Sequence, residues 1–397
     1  MTKPALQRHF KIMASHSCLR ILPIVYTFFI FITARSTAMA ASRLPPVVKA
    51  GYYPSWVMDD LPPSAINTSL LTHVLYAFLV PNNVTFGFDI SDSTAMILSN
   101  FTTTLHQKNR HVKVLYSIGG GGIDPDPFAL MATKASSRQV FIDATIGVAR
   151  KYGFDGFDLD WEFPESPKAM NDFALLLKEW RQAVGKEANM TNRSPLLLTA
   201  AVYYSAEFLI YGDRRSYPAA AVRNNLDWVN VMCYEYHGSW DTSVTGAHAA
   251  LFDPKSELNL SSVYGIKSWL KAGVPGNKLV MGLPLYGKTW KLKDPKLHEV
   301  WSPAVGVGPG DEGVMTYLQV VEFNRRTKAT VAHDVGTVSA YSYTGTSWVG
   351  YDDALSTTAK VLFAQALGLR GYFFWAVGYD NDWTITGQAS SSWILDK

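Results

Sequence analysis

Short apolar runs, most of them followed by a segment of helical period, recur eight times along this chain and constrain its fold more than any other feature. The runs are VVKAGYYPSW (47–56), THVLYAFL (72–79), VKVLYSIGG (112–120), FDGFDLDWEF (154–163), PLLLTAAVYY (195–204), DWVNVMCYEY (227–236), KLVMGLPLYG (278–287) and LRGYFFWAVG (369–378). Their β-branched and aromatic content marks them as strands. Strands that are apolar on both faces are buried on both, as in a parallel sheet clad by helices. Eight such units predict an α/β fold, the closed (β/α)8 TIM barrel. An open doubly wound sheet is the competing arrangement. It would want a GxGxxG turn after an early strand, and SIGGGG (117–122) lacks that spacing.

The intervening segments carry helix signals. In SSRQVFIDATIGVARKYG (136–153), Ser136 is placed to cap a helix and Gly153 to end it. In SPKAMNDFALLLKEWRQAVG (166–185), Phe173, Leu176, Leu177, Trp180 and Val184 fall near helical spacing. One connection is too long for a barrel loop. Between the seventh and eighth runs the barrel expected over 46–290 and 350–397 is interrupted by a small α+β insertion at about 291–349. Loops on the C-terminal rim build the active site in this fold, so the insertion should wall a cleft.

The N-terminus reads as a secretory signal peptide over residues 1–40, ahead of one catalytic unit at 41–397. Basic residues precede the apolar stretch ILPIVYTFFIFITA (21–34), which is short for a membrane span, and Ala38-Met39-Ala40 has the small-x-small form of a cleavage site. The leader takes five of the 36 basic residues, leaving 31 against 33 acidic and a net charge of −2. No basic footprint for nucleic acid remains, and no membrane contact is expected after cleavage. Cys233 is then the one cysteine, expected as a small buried apolar residue. Six sequons, at Asn67, Asn83, Asn100, Asn189, Asn192 and Asn259, fit a glycoprotein that is secreted, with the vacuole as the alternative.

The run DGFDLDWEFP (155–164) carries the chemistry. Asp158, Asp160 and Glu162 alternate with Phe157, Leu159 and Trp161, so in a strand the three acids share one face. A surface strand gives the same alternation, and three carboxylates suit Ca²⁺ or Mg²⁺. Against these, the flanks are of buried type, and neither a histidine nor an oxygen-rich loop joins the run. Inside a barrel, such acids cannot all ionise comfortably. Glu162, the last along the strand, lies nearest the mouth, where a raised pKa makes a general acid.

The chain resembles glycoside hydrolase family 18, the chitinases. DGFDLDWE (155–162) matches the family's DxxDxDxE, and SIGG (117–120) its SxGG. MCYEYHGSWD (232–241), GLPLYG (282–287) and FFWAVGYDND (373–382) resemble its sixth, seventh and eighth strand segments. Length, insertion and absence of disulfides are similar to the plant class V group, which includes legume enzymes that cut lipo-chitooligosaccharide Nod factors. The resemblance implies endo-acting, retaining, substrate-assisted hydrolysis of β-1,4-linked N-acetylglucosamine chains, without metal or cofactor, by a monomer. It implies Glu162 as acid and then base, Asp160 on the substrate acetamide, Asp158 sharing a proton with Asp160, and Tyr234 donating to the acetamide oxygen. It places Trp375 under the −1 sugar with Tyr52, Phe78, Met232 and Tyr286 around it, and Ser117 bonded to the acids. Glu235 stands where the family has Asp. A carbohydrate-binding lectin on a dead barrel, and an endo-β-N-acetylglucosaminidase acting on N-glycans, are the competing functions.

Overall fold

The structure, a computed structural model, describes residues 45–210, 213–255 and 259–394. The leader expected at residues 1–40 lies outside the described residues. Sixteen strands follow along the described chain. The eight apolar runs supply β1 (Val48–Pro54), β2 (His73–Leu79), β3 (Lys113–Gly119), β4 (Gly156–Asp160), β5 (Leu197–Tyr203), β8 (Trp228–Met232), β9 (Leu279–Pro284) and β16 (Gly371–Trp375). A hairpin after β5 supplies β6 (Glu207–Ile210) and β7 (Asp213–Ser216). The insertion supplies β10 (Tyr286–Leu292), β11 (Ala304–Val307), β12 (Val314–Thr316), β13 (Thr330–Asp334), β14 (Ser339–Thr344) and β15 (Ser347–Tyr351).

The eight strands from the runs close into a parallel barrel in the order β1-β16-β9-β8-β5-β4-β3-β2. Their two faces feed two cores. Outward side chains such as Phe157, Leu159 and Trp161 pack on the helices, with the Phe157 ring stacked 4.8 Å from that of Trp180. Inward ones, including Ala50, Leu75, Leu115, Val280 and Phe373, fill the barrel. Each large aromatic ring buried this way removes an apolar area from water that stabilises the fold by roughly 1.5–3 kcal/mol.

The helix of Pro167–Thr191 starts on a Ser166 cap and buries Phe173, Leu176, Leu177, Trp180 and Val184, as the periodicity predicts. The helix of Ala135–Tyr152 ends on Gly153, in the left-handed region at φ 77°. Its start corrects the expectation: Ser136 is not the cap. The chain enters directly from the helix of Asp126–Thr133, so Lys134 occupies the cap position, its side chain makes no capping bond, and Ser136 falls inside the first turn. The first strand leads into short 3-10 turns at Ser55–Val57 and Pro63–Ala65 rather than an α-helix.

The insertion is an antiparallel sheet, β11-β10-β15-β14-β13 with β12 on β10, packed with the helix of Tyr317–Thr327. It begins at Tyr286, ahead of the expected 291, because the seventh run breaks at Leu285 and its last residues pair with β12 instead of continuing the barrel. Trp290, Trp348 and Tyr341 form its own apolar core. Among the described residues, no helix is long and apolar enough to cross a membrane.

Candidate active site

A cavity of about 470 Å³ opens at the C-terminal ends of the barrel strands. Asp160 and Glu162 form part of its floor, with Tyr52, Phe78, Met232, Tyr234, Glu235, Tyr286 and Trp375 around them. Asp158 and Ser117 lie deeper and do not line it. The register explains the layering: Asp158 pairs with Ser117 of β3 and Thr199 of β5, one pleat below Asp160. Glu162 lies past the end of β4, so it stands at the cavity surface rather than in the strand.

Asp158 is fully buried and accepts four hydrogen bonds. Tyr52 (2.7 Å) and Ser117 (2.9 Å) donate to Oδ2, and Thr199 (2.6 Å) and Asn230 (3.1 Å) to Oδ1. Burial raises its pKa and these donors oppose the rise. Thr199 and Asn230 were not among the residues expected at the site. Their signal is a polar residue inside a run otherwise apolar on both faces, PLLLTAAVYY and DWVNVMCYEY.

Asp160 behaves differently. Burial, then the negative charges of Glu162 and Asp158, push its carboxyl well above the usual range, and it hydrogen-bonds to Glu162. Glu162 is pushed up to about 7, mainly by burial, with the Asp160 hydrogen bond opposing and the Glu235 charge adding. Asp160 and Glu162 therefore titrate as a coupled pair. The Asp158 charge adds to the rise of Asp160, while four donors hold the Asp158 oxygens. The Oδ1 of Asp160 is buried without a hydrogen-bond partner and belongs to a cavity-lining residue. Such an orphaned acceptor in a cleft calls for a ligand donor.

Tyrosine hydroxyls surround the pair. Burial holds those of Tyr234, Tyr286 and Tyr52 well above their usual range, so they remain neutral donors. Apolar rings make one wall, where Phe78 stacks on Trp375 at 5.5 Å and Trp56 lies 6.3 Å from Trp375. Trp56 is 59% exposed and was not expected at the site. Its place two residues beyond β1 is the signal that the sequence carried. On the opposite wall Glu235, at φ 64°, accepts from the Tyr286 hydroxyl (2.7 Å) and pairs with Lys288 (2.9 Å). Cys233, between two cavity residues, is buried in the outer core with its thiol pushed up to about 12 by burial.

Five of the six sequon asparagines are exposed, and Asn67 is half-buried with Oδ1 accepting from the Ser69 hydroxyl.

The sequence profile "Glycosyl hydrolases family 18" matches residues 48–380. "Class V chitinase CHIT5b" of Medicago truncatula is 51% identical over 335 residues, covering 84% of this chain and 88% of that protein. "Nod factor hydrolase protein 1" of the same plant is 50% identical over 344 residues, covering 85% and 88%. A mutant class V chitinase from Nicotiana tobaccum, solved in complex with NAG4, superposes with a TM-score of 0.84 at 37% identity, over 88% of this chain and 100% of that one. A matched profile over most of the described barrel, half-identical relatives, and a carboxylate pair at the mouth of an eight-stranded barrel agree: the chain belongs to the glycosyl hydrolases of family 18.

Proposed function

We propose that this protein is a secreted, monomeric, endo-acting chitinase that cleaves β-1,4-linked N-acetylglucosamine oligomers with retention, and that it accepts lipo-chitooligosaccharides. The observation that carries the reading is the Asp160–Glu162 pair, which keeps a proton near neutral pH at the surface of a cleft walled by aromatic rings. Glu162 gives its proton to the glycosidic oxygen as the bond from that oxygen to the anomeric carbon breaks. The 2-acetamido carbonyl oxygen of the same sugar attacks that carbon, forming an oxazolinium ion. This is the substrate-assisted exception to the two-carboxylate scheme. The Oδ1 of Asp160 accepts the acetamide N–H, and the negative charge left on the Asp160–Glu162 pair after proton transfer offsets that of the ring. Tyr234 donates to the acetamide oxygen. Water then gives a proton to Glu162 and adds to the anomeric carbon from the vacated face.

Sugar rings offer C–H faces that pack on Trp375, Phe78 and Trp56. The half-identical Nod factor hydrolase supports the lipid-bearing substrate, and the leader with its exposed sequons supports secretion.

The test is product analysis with chitopentaose and a lipo-chitooligosaccharide in parallel. New β-anomeric reducing ends from chitopentaose are expected. Binding of both without cleavage of either would replace the enzyme by a lectin, and α-anomeric products would exclude the acetamide route.

A further inference from the structure

Lys288 is an unusual cation. It lies on β10 with its side chain only 8% exposed, against the rings of Trp240 (5.3 Å) and Tyr286 (5.6 Å). A buried ammonium requires an anion within reach. The anion is Glu235, whose Oε1 receives both the Lys288 ammonium at 2.9 Å and the Tyr286 hydroxyl at 2.7 Å. Glu235 leaves the end of β8 in a left-handed conformation, and its side chain, 41% exposed, lines the same cavity as Glu162. Two convergent donors on one oxygen fix the carboxylate against the wall.

We propose that Lys288 is a positioning residue of the cleft: by pinning and neutralising Glu235 against Tyr286, it keeps a second free negative charge away from Glu162. Lys288 itself need not touch the reacting atoms, and its part in catalysis rests on the reading that Glu162 is the acid. Glu162 is faced by Asp160 from β4, by Glu235 and Tyr234 beyond β8, by Tyr286 from β10 and by Tyr217 behind. The tyrosines are neutral, so among the described residues Glu235 is the neighbour beside Asp160 that adds negative charge. Lys288 is faced by Glu235 and by His248, whose ring is kept uncharged by burial and by Lys288 and Lys360.

Removing the ammonium leaves Glu235 uncompensated, which disfavours the ionised form of Glu162. In Lys288→Met and Lys288→Gln, the alkaline limb of the kcat/KM profile on chitopentaose should move up by about 0.5 pH unit, a weak coupling through a partly wet cleft. Lys288→Arg should hold the wild-type limb, and Glu235→Gln combined with Lys288→Met should return it. If Lys288→Met does not fold, Lys288→Gln carries the same test. The Glu162 carboxyl can also be titrated by carbon-13 NMR, with its signal assigned by loss in Glu162→Gln. That readout decides the proposal even if the wild type turns over nothing, an outcome that would count against the proposed function instead. An unshifted Glu162 titration in a folded Lys288→Gln protein, or an equal shift in the double variant, overturns the role of Lys288.

Discussion

Glu162 holds its proton at a cost to the fold. In the unfolded chain a glutamate titrates near ~4.3, whereas in the fold burial lifts this one to about 7. The folded state then binds more protons than the unfolded state between those values. The stability linked to this group is fully present below the unfolded pKa and is lost as pH rises through about 7. Glu162→Gln removes the titration. Thermal scans should find the variant more stable than wild type at about pH 8 and level with it at about pH 4. The same substitution should lower turnover of chitopentaose by about 10³-fold while leaving oligosaccharide affinity within a few fold, read by single-turnover kinetics and calorimetry. In the wild type, kcat/KM should fall as pH rises through about 7, because the ionised Glu162 has no proton to give.

Strand ends, rather than strands, set the geometry of the cleft. The SIGG segment closes β3 with Gly119 at φ 107° and Gly120 at φ 104°. A Cβ on Gly119 would land on the Asp160 carbonyl, and one on Gly120 would lie 2.7 Å from the Phe78 ring. The Gly120 N–H also donates to the Asp160 carbonyl at 2.9 Å. The two glycines thus let the ends of β2, β3 and β4 approach one another under the cavity. Gly119→Ala should destabilise the protein by about 2 kcal/mol or more, measured by urea unfolding, since both the backbone angle and the space are refused. The stopping Gly153 is visible in sequence, because it acts within a few residues of itself. Ser136 shows the limit. Its pattern for a cap was correct, but a helix arriving from the other side claimed the position.

At the scale of the molecule, the insertion and barrel are tied by a buried ion pair. Lys360, from the helix of Ala354–Ala366, bonds both oxygens of Asp352 at 2.6 Å, just past β15, and donates to the Ala249 carbonyl on the loop beyond β8. Both side chains are at most 2% exposed. Lys360→Met should cost about 3–5 kcal/mol in chemical denaturation, because it strands a buried carboxylate, and adding Asp352→Asn should recover much of that loss.

Periodicity decided the barrel: eight runs apolar on both faces admit few other arrangements, since a parallel sheet must be covered on both sides. The alternation in DGFDLDWEFP likewise put the acids on the inner face, because side-chain direction along a strand is a local property. How each acid is held was not local. Thr199, Asn230, Ser117 and Tyr52 come from four other strands, and only barrel closure brings their donors onto Asp158. The Glu235–Lys288 pair is of the same kind, with partners 53 positions apart in the chain. Burial and charge act through space and fall off over a few ångströms, so the sequence by itself determined the fold and the line of carboxyl groups, and only the tertiary structure decided what surrounds each of them.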